Sequence, residues 1–335
     1  MSSDRTIAIA GAGSIGCFVG GMLVAGGRDV ALLARQRVIG EIETNGLRPT
    51  SFEGFDQTIA AGRFALSERP SILGDAAVVL VAVKSADTAV MADVIARHAA
   101  PHCVVVSLQN GVGNTAVLRD RLPGRRVLGG MVPFNVIALG NGRFHRATSG
   151  DIVIEKDEAR TAEKLSVPGL NMRATDDIDG VQWGKLLLNL NNALNALADL
   201  PLRRQLAQRP WRTLFADQVA EALAAIRAEG IRAVSPTPIP LSWMPALLRL
   251  PDPIFEALLG RTMKIDPEAR SSMWEDLQRC RRTEVDYLQG VITGIAERRG
   301  LDAPLSRRIV ELIRKAEHEA KGSPGLTPQQ IRDGN

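Results

Sequence analysis

Six residues near the start, Gly11-Ala12-Gly13-Ser14-Ile15-Gly16, constrain this chain more than any others. They follow an alternating apolar run, Thr6 to Ala10, which reads as a buried strand. They precede Cys17 to Ala25, small and apolar, which reads as a helix packed tightly on a sheet. Strand, G-x-G-x-x-G and helix is the arrangement that cradles a dinucleotide pyrophosphate. Gly11 permits the tight turn, Gly13 lets backbone N–H groups approach the phosphates, and Gly16 lets helix and strand touch. The phosphates then sit on the positive end of the helix. A Gly-rich turn with no ligand is the plainer account; the strand and helix around it favour the cofactor.

The rest of the first half extends this beginning. Asp29 to Leu33 reads as the second strand, and its end is the selectivity position. An Asp or Glu there would bind the ribose 2′-OH of NAD. The chain instead reads Ala34-Arg35-Gln36-Arg37. Arg35 is placed to fork onto a 2′-phosphate, which predicts NADP rather than a solvated surface arginine. Ala76 to Val83 is a continuous apolar run ending in Lys84, and Cys103 to Leu108 is another, running into Gln109-Asn110-Gly111-Val112-Gly113. Such runs are strands buried on both faces of a parallel sheet. Lys84 and Asn110 therefore stand at carboxyl ends of strands, where open α/β sheets bind ligands; a strand-end charge and a turn asparagine are the plainer readings. Leu47 to Leu66 reads as edge strands and loops, and Val127–Val132, Phe134–Leu139 and Asp151–Glu155 as further strands. Asn141-Gly142 marks a hairpin turn.

From Asp176 the periodicity becomes helical, so the expected division is 1–175 and 176–335, a Rossmann-type doubly wound α/β domain followed by an all-α domain. The stretch Val181 to Asn195 is a mostly apolar helix with one lysine and four asparagines. On an ideal helix Asn189 lies about 40° and Asn192 about 20° from the Lys185 line, on opposite sides. Lys185, Asn189 and Asn192 thus form one polar stripe: a substrate face with a catalytic ammonium, or a buried network that only fixes packing. Ser235 to Pro253 holds six prolines and cannot be one helix. Its apolar residues, from Trp243 on to Leu259, read either as core or as a dimer contact or active-site cover. Arg281 to Leu288 reads as helical, the last helix as Ser306 to Lys321, and the tail from Gly322 as mobile.

Composition excludes several classes. The formal net charge of +4 is spread along the chain, and one Tyr with eight Phe are too few for a base-stacking surface, so no nucleic acid is expected. Cys17, Cys103 and Cys280 form no disulfide or metal pattern, which points to the cytoplasm and to no metal. The first residues make no signal peptide and no apolar run reaches about 18 residues, so no membrane is expected.

Taken together, these residues resemble the ketopantoate reductase (2-dehydropantoate 2-reductase) family over nearly the whole length. The likeness rests on Gly11–Gly16, Arg35, Lys84, Gln109–Gly113, Trp183-Gly184-Lys185-Leu186-Leu187-Leu188-Asn189, Ser271-Ser272-Met273 and Arg282-Thr283-Glu284-Val285-Asp286-Tyr287. It implies NADPH-dependent reduction of a 2-oxo acid, ketopantoate or a close analogue, in a cleft between the two domains. It implies cofactor contacts from Gly11, Gly13, Gly16, Arg35, Lys84 and Asn110. Lys185 matches the general acid, Glu284 the active-site carboxylate, and Asn189 and Ser272 substrate-binding positions. Where the family has a second asparagine four residues past the first, this chain has Ala193, and none is evident near Leu202-Arg203. Asn192 is expected to take over part of that contact from a shifted direction, in a pocket that prefers a 2-oxo acid other than ketopantoate. The competing readings are an opine-type or 3-hydroxy-acid dehydrogenase of similar build, and a non-catalytic NADP-binding sensor. A homodimer is a further expectation.

Overall fold

Short apolar strands and the helices between them account for the first half. The computed structural model describes residues 6–235, 239–260 and 268–333. A six-stranded parallel sheet contains β1 (Ile7–Ala10), β2 (Val30–Leu33), β4 (Ala65–Ser67), β5 (Val78–Val81), β6 (Val104–Ser107) and β7 (Val127–Leu128). Its order is β4-β2-β1-β5-β6-β7. In chain order the strands run third, second, first, fourth, fifth, sixth, which is the dinucleotide-binding arrangement. The order reverses between β1 and β5, whose paired ends are Ala10 and Val81.

The alternation in β1 explains the two-sided core. Ile7 and Ile9 point into one apolar layer with Phe18, Met22 and Leu23 of α1 (Ser14–Ala25). Ala8 and Ala10 point into the other, with Ala92 and Ile95 of α3 (Thr88–His98) and Leu118 of α4 (Asn114–Arg121). Successive side chains on a strand face opposite ways, so a run apolar at every position needs cover on both sides. Helix α2 (Gln36–Asn45) follows β2.

Two small sheets complete this unit. One is β3 (Arg48–Ser51), β10 (Arg143–Arg146) and β9 (Val136–Gly140); the other is β12 (Met172–Thr175), β11 (Ile152–Glu155) and β8 (Gly130–Met131). Asn141 and Gly142, both at positive φ, make the expected hairpin turn. The sequence reading did not include α5 (Thr161–Leu165) or β12. Compact units divide after Ile178 rather than after residue 175.

In the second unit the described residues form α6 (Ile178–Asn189), α7 (Asn191–Ala198), α8 (Leu202–Leu206), α9 (Arg209–Ala228), α10 (Met244–Leu248), α11 (Asp252–Phe255), α12 (Ser272–Gln278), α13 (Val285–Arg298), α14 (Pro304–Glu319) and α15 (Pro328–Asp333), with short 3-10 and π turns. The expected single helix from Val181 to Asn195 is instead two, interrupted at Leu190. The expected helix through Arg281 begins only at Val285, with Glu284 in the capping position.

The proline-rich segment is indeed broken into short turns; Pro236 and Pro238 lie outside the described residues. It is pinned by Arg212, a fully buried guanidinium. Arg212 donates to the carbonyls of Leu206, Leu248 and Leu250, pairs with Asp252 at 2.7 Å, and stacks over Phe255 at 4.1 Å. Leu248 and Phe255 are core, whereas Trp243, Ile254 and Leu258 are exposed. The tail is not free, contrary to expectation. Leu326 N–H donates to Leu197 O at 2.8 Å, and Ile331 of α15 is fully buried, because this short helix packs on α9 and α14. All three thiols are unpaired; Cys17 and Cys103 are buried and Cys280 is exposed.

Candidate active site

The glycine loop has the geometry that its sequence promises. Gly11 takes φ +102°, where a side chain would be strained and would strike Val83. A Cβ on Gly16 would run into the Gly11 carbonyl and into Ile9 of β1, so helix and strand meet through bare backbone. A Cβ on Gly13 would meet nothing within 4 Å, which leaves open space before the first turn of α1. The first N–H groups of a helix have no intrahelical partner and can take an anion. Gly13 itself heads the helix without any side-chain cap. The residues present therefore fit a dinucleotide pyrophosphate. Arg35 caps α2 from the end of β2. Its side chain is 91% exposed and held only loosely, 3.8 Å from Asp87 of the β5–α3 connection.

Lys84 and Asn110, both half-buried, stand just beyond β5 and β6. A buried network joins their loops. Gln109 Nε2 donates to Val83 O at 3.2 Å and to Thr88 Oγ1 at 2.7 Å. Asn114 Nδ2 donates to Asn110 O at 2.7 Å and to Ser85 Oγ at 3.1 Å. Ser85 Oγ also reaches Asn110 O at 3.0 Å. The sequence reading noted the polar turn but not Thr88 or Asn114, which hold it. Buried polar side chains are almost always bonded, so a Thr and an Asn opening successive helices were the available signal.

In the second unit Lys185 is half-buried on α6, just before the core residues Leu186 and Leu187. Burial pulls its ammonium down to about 8, against the opposing pull of the Glu284 carboxylate. A charged lysine in an apolar setting loses hydration, and a nearby carboxylate restores part of the loss. The four asparagines divide into two pairs. Asn191 and Asn195 are buried and bonded to Gln205 of α8, with Asn195 Nδ2 at 3.0 Å from Gln205 Oε1. Asn189 and Asn192 are half-buried, and neither side-chain amide has a hydrogen-bond partner among the described residues.

The serine pair divides in the same way. Ser271 is buried and caps α12, accepting from Trp274 N–H at 3.1 Å and donating to Asn192 O at 2.9 Å. Its own N–H donates to Asn195 Oδ1 at 2.9 Å. Ser272 follows it with an exposed hydroxyl. Nothing in the sequence separated the structural serine from its neighbour, because both stand at a helix start.

Two family models match, "Ketopantoate reductase PanE/ApbA" over residues 7–158 and its C-terminal counterpart over residues 177–317. The chain belongs to the ketopantoate reductase family. The 2-dehydropantoate 2-reductase of Halobacterium salinarum is 28% identical over 325 residues, 93% of this chain and 99% of that protein. A crystal structure of a PanE/ApbA family ketopantoate reductase from Ralstonia eutropha JMP134 is 31% identical with TM-score 0.79, covering 94% of this chain and 99% of that one. D-mandelate dehydrogenase with NADH and anilino(oxo)acetate shares the fold at 22% identity and TM-score 0.76, over 94% of this chain and 99% of that one. As a ketopantoate reductase family member the chain is an NAD(P)-dependent oxidoreductase acting on a small molecule. No helix among the described residues is long and apolar enough to cross a membrane. No cluster of His, Cys, Asp and Glu there could hold a metal ion.

Proposed function

We propose that this chain reduces ketopantoate to pantoate with NADPH as donor, using Lys185 as the general acid. The observation that carries the reading is a depressed lysine coupled to Glu284 on a helix whose next polar side chain, Asn189, is unpartnered. A bound nicotinamide supplies the hydride. The chain itself must bind the acid, balance charge growing on the carbonyl oxygen and deliver a proton there. An ammonium titrating near 8 is mostly protonated at neutral pH and gives up its proton more readily than an ordinary lysine. Glu284 holds that ammonium in place. Asn189, Asn192 and the Ser272 hydroxyl offer hydrogen bonds to the substrate. Leaving a substrate group unpaired would cost about 1–3 kcal/mol. Asn192 offers this contact where Ala193 cannot, and Asn192→Ala is expected to raise KM for the acid.

Gly11 to Gly16, Lys84 and Asn110 form the cofactor side of the reading, and Arg35 selects the 2′-phosphate. The three unpaired thiols support a cytoplasmic location. The exposed Trp243, Ile254 and Leu258 support a homodimer. The deciding assay follows NADPH consumption with ketopantoate and a panel of other 2-oxo acids. Against the preference for another acid expected from Ala193, ketopantoate should be turned over fastest, and more readily with NADPH than with NADH. No consumption with any 2-oxo acid would end the reading, while faster turnover of another acid would move the substrate and leave the chemistry.

A further inference from the structure

The Lys185 helix is tied to α13 where it is interrupted. Gln289 of α13 is fully buried, and its Nε2 donates to the Leu190 carbonyl at 2.9 Å. A carbonyl can only accept, so the acceptor fixes which way the amide points. Leu190 stands between α6 and α7 with helical φ −57° and ψ −29°, and its own N–H still donates to Leu186 O at 3.0 Å, so the Gln289 bond ties α13 to the point where the two helices meet. The bond falls between the two unpartnered asparagines, one residue past Asn189 and two before Asn192. Its other end lies on the helix headed by Glu284, five residues further along the chain. Gln289 Oε1 is buried with no partner among the described residues, so one end of this side chain carries the whole contact.

We propose that Gln289 is a positioning residue for the reduction: its bond to Leu190 O registers Lys185, Asn189 and Asn192 against Glu284. The inference rests on the reading of Lys185 as the acid. With the bond gone, α13 loses its hold on the junction of α6 and α7, and Lys185, Asn189 and Asn192 lose their register against Glu284. Small misplacements of this kind cost catalysis out of proportion to stability.

The test is Gln289→Met, which keeps length and apolar bulk and removes the donor. Expected is a fall of roughly 30-fold in kcat/KM for ketopantoate, within the range that misplacement can cause. NADPH affinity, measured by fluorescence titration, should stay within about twofold because the cofactor side is untouched. Combined with Asn192→Ala, the losses should be less than additive, because both act on one contact. A purely structural amide would lower the thermal midpoint, leave kcat/KM per folded molecule unchanged and give additive losses; that result overturns the proposal. If Gln289→Met does not fold, Gln289→Leu answers the same question by the same measurements. Lys185→Ala is run alongside. Full turnover in that variant removes the acid assignment and this inference with it, whereas a dead Lys185→Ala with a normal Gln289→Met removes only the inference.

Discussion

The molecule holds two buried amide networks, and they anchor their surroundings differently. In the first unit, Gln109, Asn114, Thr88 and Ser85 join the loops after β5 and β6. Those strands are already registered by their own ladder, Val78 to Val81 against Val104 to Ser107. In the second, Asn191, Asn195, Gln205 and Ser271 join α7, α8 and the start of α12. No ladder crosses between helices, which pack through side chains and can slide or turn. The sheet fixes positions by backbone, and the amides there refine a loop. Among the helices the amides themselves set the register. A site built on helices is thus more exposed to single side-chain changes than one built at strand ends.

The largest effect should come from the acid. Lys185→Ala is expected to lower turnover by at least ~10², with NADPH affinity kept. In the wild type, kcat should fall as pH rises through about 8, because the ammonium must be protonated to donate. Glu284→Gln removes the pull that raises this value, so the falling limb should move to lower pH. A limb that stays put would separate Glu284 from Lys185.

Next is the helical network. Asn195→Ala takes the side-chain partner from the Ser271 N–H and from the Leu200 carbonyl at once, and should destabilise by about 2–3 kcal/mol. Urea titration would read it, and kinetics should show a raised KM for the acid. Arg35→Ala is expected to weaken NADPH binding by about 1.5–3 kcal/mol without loss of stability, since the side chain is exposed. Equal affinity for NADPH and NADH in the wild type would remove Arg35 from the site. The smallest effect should be Thr88→Ala, about 1 kcal/mol, because the strands keep their register without it. A loss as large as that of Asn195→Ala would break the contrast between the two units.

What could be read from sequence follows the same division. The glycine loop, the buried strands and the Asn141-Gly142 hairpin were legible because their causes are local. The polar stripe on the Lys185 helix was legible from spacing. The tie of that helix to α13 was not, because the partner of Leu190 lies 99 residues away. Nor could spacing say that Asn191 and Asn195 are occupied while Asn189 and Asn192 are not. The tail looked mobile because a six-residue helix with one apolar anchor leaves little periodic signal. Glu284 looked helical because a residue in the capping position shares the pattern of the helix that it begins.

One consequence concerns the thiols. Cys17 and Cys103 are sealed in the core, and burial pushes both thiols up. Maleimide reacts with thiolate, so neither offers a foothold in the native protein. Cys280 lies at the surface, four residues before Glu284. A fluorophore coupled to the native chain would therefore go to a single address, four residues before Glu284 in the chain, with no cysteine engineered in or out. Ligand-dependent movement of the stretch that leads to Glu284 could then be followed optically, in stopped flow, before any turnover has occurred.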